Sequence, residues 1–127
     1  MEIVRNGSAP ILSNPGVQSD QLISPENSPS RRVTITRVTV APQGINSPHR
    51  HESSEQIWVA LAGHGTLLLD QQRTEPFAAG DVVRFGDGDL HGLHNTGDTP
   101  FIYIAVTSPP LDFRSAYAHS SDTKDQR

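Results

Sequence analysis

At 127 residues the chain is long enough for one domain around one hydrophobic core. Its formal net charge is -4, from 14 acidic against 10 basic residues, and no basic run exceeds Arg31-Arg32, which argues against nucleic-acid binding. No apolar stretch is long enough to span a membrane, and with no cysteine there is neither a disulfide framework nor a thiolate ligand.

The first five residues, Met1-Glu2-Ile3-Val4-Arg5, contain no signal-peptide core, so the default expectation is a cytoplasmic location. Residues 1–30 are rich in Pro, Ser, Asn and Gly and read as an arm with one short strand over residues 17–23. Residues 32–40 alternate and are rich in β-branched side chains, which predicts a strand. Its apolar parity changes from odd (Val33, Ile35) to even (Val38, Val40), as a bulge near Arg37 or burial on both faces would produce. Residues 42–48, bounded by Pro42 and Pro48, read as a loop. Residues 55–61 predict a strand with Ile57, Val59 and Leu61 on one face and Trp58 on the other. Ala62-Gly63-His64-Gly65 reads as a hairpin turn into a returning strand over residues 66–70. Further short strands are predicted at 73–77, 82–85, 90–95 and 101–106, separated by Ala79-Gly80-Asp81, Gly86-Asp87-Gly88-Asp89 and a turn over 95–100. Turn signals every eight to twelve residues, with no helical period before the C-terminus, indicate an all-β sandwich or barrel. The boundaries that follow are an arm over 1–30, a barrel over 31–110 and a polar, fraying tail over 111–127.

Four side chains carry the chemistry. His49, His51 and Glu55 fall in one run, His49-Arg50-His51-Glu52-Ser53-Ser54-Glu55, and alternate residues of a strand share a face. A second strand presenting His91 would close a site of three imidazoles and one carboxylate. Such a set suits a divalent transition metal and leaves one or two positions for water or substrate. Gln56 is the rival to Glu55 but has the opposite parity. His64, His94 and His119 lie in a turn, off the face of His91 and in the tail, respectively. Tyr103 is a candidate proton donor to the pocket, Arg37 a candidate anion holder at its mouth, and Phe85 and Val83 barrel lining.

Gly44, His49, His51, Glu55 and Gly63, followed by Gly80, Gly86-Asp87-Gly88, His91 and Asn95, resemble the two motifs of the cupin family over residues 44–95. Three departures stand out. The Gly44–His49 spacer is one residue short, the Glu55–Gly63 interval is one residue long, and Gly86 replaces the usual proline. The resemblance implies a jelly-roll β-barrel with the extended arm and short tail already noted. It also implies ligation of one divalent ion (Fe, Mn, Ni, Cu or Zn) by His49, His51, Glu55 and His91. It further implies a small oxygenated substrate, with Glu55 leaving the metal to act as general base. The chemistry would be dioxygenase-like, or isomerase, cyclase or lyase chemistry at a redox-inert ion. The alternative is a non-catalytic binder of a small ligand. The resemblance also implies a homodimer, and barrels often cover sheet edges by pairing.

Overall fold

The computed structural model describes residues 1–120. Eleven strands are present among the described residues, arranged in two antiparallel sheets. They are β1 (Ile11–Asn14), β2 (Val17–Ile23), β3 (Thr34–Val40), β4 (Ile45–His49), β5 (Glu55–Ala62), β6 (His64–Leu69), β7 (Thr74–Ala78), β8 (Val82–Phe85), β9 (His91–His94), β10 (Phe101–Ser108) and β11 (His119–Ser120). The larger sheet has the order β11-β1-β2-β3-β10-β5-β8 and the smaller one β4-β9-β6-β7. This is the jelly roll that the family resemblance implies, within the all-β class that the turn spacing predicts.

Several expectations are corrected. The arm holds two strands, because Pro15-Gly16 closes a β1–β2 hairpin that extends the larger sheet through β3. Residues 45–48 of the expected 42–48 loop, together with His49, form β4. As the outer strand of the smaller sheet, β4 has one side without ladder bonds, where a proline costs no bond. Residues 62–65 are not a hairpin. β5 pairs with β10 and β8, whereas β6 pairs with β7 and β9, so the chain crosses there between sheets. Gly63 makes the corner with φ +91, and a Cβ on it would stand 3.0 Å from the Pro100 carbonyl oxygen. His64, expected in that turn, is an exposed residue of β6. His119 is on β11, paired with β1, rather than in a frayed end. The rest of the expected tail, residues 121–127, lies outside the described residues.

The strand parity also differs from expectation. On β5 the inward residues are Gln56, Trp58 and Ala60, while Ile57 and Val59 face outward. On β3 the register with β10 is unbroken past Arg37, and the irregularity lies instead on β2, between Gln21 and Ile23. The inward row of β3 is Thr34, Thr36, Val38 and Val40 throughout. The apparent change of parity is therefore a change in what the inner face is made of. One end of the barrel is closed by Val40, Leu67, Phe77, Leu93 and Phe101, each at most 4% exposed. Burying each large side chain there contributes about 1.5–3 kcal/mol. The outer face of the larger sheet carries a second apolar row. Val106 is paired with both Ile35 and Ile57, and Ile104 with Val59, all of them half-buried.

Candidate metal centre

The other end of the barrel is open and polar. His49 ends β4 and His91 begins β9, directly opposite it in register. Gly92, next to His91, lets these strands approach closely, since a Cβ there would lie 2.7 Å from the Asn46 carbonyl oxygen. His51 follows in the connection between the two sheets. Two bonds tie that connection to the turn before His91: Gly88 N–H donates to the His51 carbonyl (2.8 Å), and Arg50 Nη1 donates to the Gly88 carbonyl (3.0 Å). Arg50 also pairs with Asp70 (3.2 Å), whose other oxygen accepts from Leu90 N–H (3.1 Å). Arg50, the residue between the two histidines, thus fastens both histidine-bearing segments to the turn after β6.

The three imidazoles converge, with ligand atoms all within 4.8 Å of one another. Ring centroids stand 5.0 Å (His49–His51), 4.6 Å (His49–His91) and 5.2 Å (His51–His91) apart. The Nδ1 atoms of His49 and His91 each lie 2.8 Å from a backbone carbonyl, of Ser47 and Asp89 respectively. A carbonyl only accepts, so these nitrogens carry the ring protons and leave lone pairs on Nε2. The Nε2 atoms of His51 and His91 are buried with no hydrogen-bond partner. Burial, then the neighbouring His49, lowers both rings from about 6.5 to about 4, so both are neutral at pH 7. Buried, unpartnered, neutral imidazole nitrogens aimed at one point are the donor set a divalent transition ion takes. Phe85 stacks on His91 (4.5 Å, 15°) and Trp58 meets it edge-on (5.4 Å, 89°), which fixes the ring.

Glu55 does not join this cluster. It is 43% exposed and paired with Arg84 (Nε–Oε1 3.0 Å) on the outside of the larger sheet. Counting alternate residues from His51 fails because residues 50–54 are not strand and the chain changes sheets there. Gln56 takes the inward place, 4% exposed, on the wall of the cavity that holds His49 and His51. Its Nε2 donates to Thr107 Oγ1 (2.9 Å) and its Oε1 accepts from Trp58 Nε1 (2.8 Å). The signal was in the spacing: the Glu55–Gly63 interval is one residue too long, and counting from Gln56 removes the discrepancy. Trp58, expected to face away, lines the same cavity.

The cavity measures about 410 Å³. Tyr103 lines it, fully buried, and its hydroxyl accepts from Asn46 Nδ2 (2.8 Å). Burial pushes its phenol well above the usual range, so it stays protonated. The segment after β10 crosses the mouth. Thr34 Oγ1 bonds both the N–H and the carbonyl of Leu111, and Asn14 clasps Ala116 and Ala118. This segment places Phe113 5.8 Å from the His51 ring and lays Tyr117 against the core. Arg37, considered for the mouth, pairs instead with Asp20 (2.8 Å). His94 follows on β9, half-buried and outside the cluster.

The family model for the cupin domain matches residues 36–107. The chain is a cupin. An oxalate-binding protein of Thermotoga maritima is 30% identical to this cupin over 90 residues, covering 71% of this chain and 74% of that protein. Germin-like protein 5-1 of Oryza sativa subsp. japonica is 34% identical over 85 residues, but the chain spans only 38% of its length. Among solved structures, the polyketide cyclase RemF from Streptomyces resistomycificus superimposes with a TM-score of 0.75 at 21% identity, over 99% of this chain and 89% of that one. At that identity the likeness speaks to the barrel alone.

Proposed function

We propose that this cupin holds one divalent transition metal through His49, His51 and His91, with Gln56 as the neighbouring amide donor, and acts on a small oxygenated organic molecule in the adjoining cavity. The observation that carries this reading is the pair of buried, unpartnered Nε2 atoms beside a third imidazole whose proton is held on Nδ1. A bound ion would supply Lewis acidity, and with a redox-active metal, electron transfer. The chain's own part is to orient and exclude. Trp58 and Thr107 fix Gln56, Tyr103 presents a protonated phenol, and Phe113 and Tyr117 limit water at the mouth. The chemistry open to such a site includes dioxygenation, isomerisation and cyclisation, and Glu55, paired with Arg84 on the outer face, is not read as the general base for any of them.

A second reading, binding without turnover, draws on two observations. Among the described residues no carboxylate lines the cavity, and the Thermotoga relative is named for binding oxalate. Elemental analysis of protein purified without added metal tests the shared claim: about one equivalent per chain is expected, and less than about a tenth, with no rebinding, contradicts it. Oxygen uptake and product analysis on enediols, flavonols and diketones then separate catalyst from binder. The chain would work in the cytoplasm as a homodimer, the apolar outer row of Ile35, Ile57, Val59, Ile104 and Val106 facing its copy. A monomer in light scattering at micromolar concentration would contradict the dimer.

A further inference from the structure

We infer that the cavity takes a ring-bearing organic anion, its charged oxygens at the imidazole end and its ring against Trp58, Tyr103 and Phe113. The inference rests on the metal reading above and extends it to the class of ligand.

Charge comes first. Among the described residues, none that lines the cavity is Asp, Glu, Lys or Arg. Glu55, the one carboxylate the motif offers, is outside on Arg84, and Gln56 in its place is neutral. A dication held only by imidazoles and an amide would keep its whole charge inside a chamber whose described lining offers it no anionic side chain. Leaving a buried charge without a counter-charge costs several kcal/mol. A carboxylate or enolate ligand removes that cost, and an alcohol or a neutral ketone does not.

Size comes second. A chamber of about 410 Å³ has room for roughly fourteen waters at about 30 Å³ each. A ringless two- or three-carbon acid would leave most of that volume wet. Volumes of roughly 300–1,000 Å³ suit molecules with a ring and substituents. The walls agree. Trp58 and Tyr103 form a tilted pair at 4.3 Å, and Phe113, which also lines the cavity, meets His51 edge-on. Flat apolar surfaces of this kind hold a planar ring.

Polarity comes third. The Tyr103 hydroxyl already accepts from Asn46, so its own proton is free to donate, and among the described residues nothing receives it. It provides a donor for an oxygen on the ligand away from the metal end. Phe113 and Tyr117, brought by the segment clasped to Asn14 and Thr34, then become specificity-determining residues, because they set how long a ring-bearing molecule fits beneath them.

A matched set of probes on the full-length, metal-loaded protein tests this: mandelate, which has a ring and a carboxylate; 1-phenyl-1,2-ethanediol, with the ring but no charge; and lactate, with the charge but no ring. Isothermal titration gives the affinities. Trp58, the chain's one tryptophan, reports ring placement by its fluorescence. Mandelate should bind at least about tenfold more tightly than either partial analogue, with a change in Trp58 emission. Phe113→Ala should reduce mandelate affinity and leave lactate affinity and metal content as they were. Equal binding of lactate and mandelate, or of the diol and mandelate, by a chain shown to hold metal would overturn the inference and leave the metal reading standing. A chain that holds no metal overturns both.

Discussion

The two ends of this barrel are built from the same strands, yet one is a packed core and the other an open cavity with three histidines at its wall. On β3 the inward residues run from Val40 and Val38 to Thr36 and Thr34. On β10, paired with it, they run from Phe101 and Tyr103 to Ala105 and Thr107, and on β5 from Ala60 and Trp58 to Gln56. β3 and β10 change from large apolar to small or hydroxyl-bearing at the same height, past the Val38–Tyr103 pair, and β5 changes one inward residue further on, between Trp58, level with Ala105, and Gln56, level with Thr107. Small and hydroxyl-bearing residues cannot fill the space that Phe77, Phe101 and Leu93 fill at the closed end. The volume they leave is the cavity, and the histidines stand at its wall. Departures from the apolar pattern of a core are costly unless partnered; here Thr107, Gln56 and Trp58 partner one another.

Replacing a closed-end side chain should test this division most severely. Phe101→Ala removes a fully buried ring and should cost about 3–5 kcal/mol of stability, seen as a large drop in melting temperature with the metal site chemically intact. A small drop would mean that the closed end is not the stabilising core. At the open end the effect should fall on ligation. Gln56→Ala should weaken metal binding about tenfold or more, while Glu55→Ala breaks only an exposed ion pair and should change stability by less than about 1 kcal/mol. The opposite ranking in metal titration would restore Glu55 to the site.

The metal-free protein should also respond to pH through the open end. His51 and His91 sit at about 4 when folded against about 6.5 unfolded. Below about 6.5 the unfolded chain takes up protons that the folded chain refuses. Their contribution to stability is therefore intact above that value and declines as the pH falls toward 4. Melting temperatures between pH 7.5 and 4.5 should fall, and fall less for His91→Gln; identical profiles for the two would contradict the assignment. The smallest effect is expected at Thr36, whose buried hydroxyl faces the cavity. Thr36→Val should leave stability within about 0.5 kcal/mol, where a comparable polar-to-apolar exchange is least noticed, and show up in ligand affinity alone.

The contrast between ends also explains which parts of the molecule were legible in the sequence. Strands β3, β5, β8 and β10 announced themselves because runs of β-branched and aromatic residues between turns have few other uses. The histidine spacing was legible because three imidazoles and two glycine-bounded turns fall in a fixed order. β4 was hidden by Pro48, a residue that rules out a central strand but not an outer one. The β5–β6 corner was hidden because Gly63 serves a sheet-to-sheet crossing as well as it serves a hairpin. Glu55 was misplaced because alternation holds only within a strand, and residues 50–54 interrupt it. The segment carrying Phe113 and Tyr117 had no pattern at all, since its place over the mouth depends on Asn14 and Thr34, distant in the chain.

The most direct test is a crystal structure of the protein grown with a divalent transition metal and measured at that metal's absorption edge. We expect one anomalous peak per chain, about 2.0–2.3 Å from the Nε2 atoms of His49, His51 and His91, on the cavity side of Gln56. A peak at Glu55 and Arg84, or none among the three imidazoles, would contradict the account.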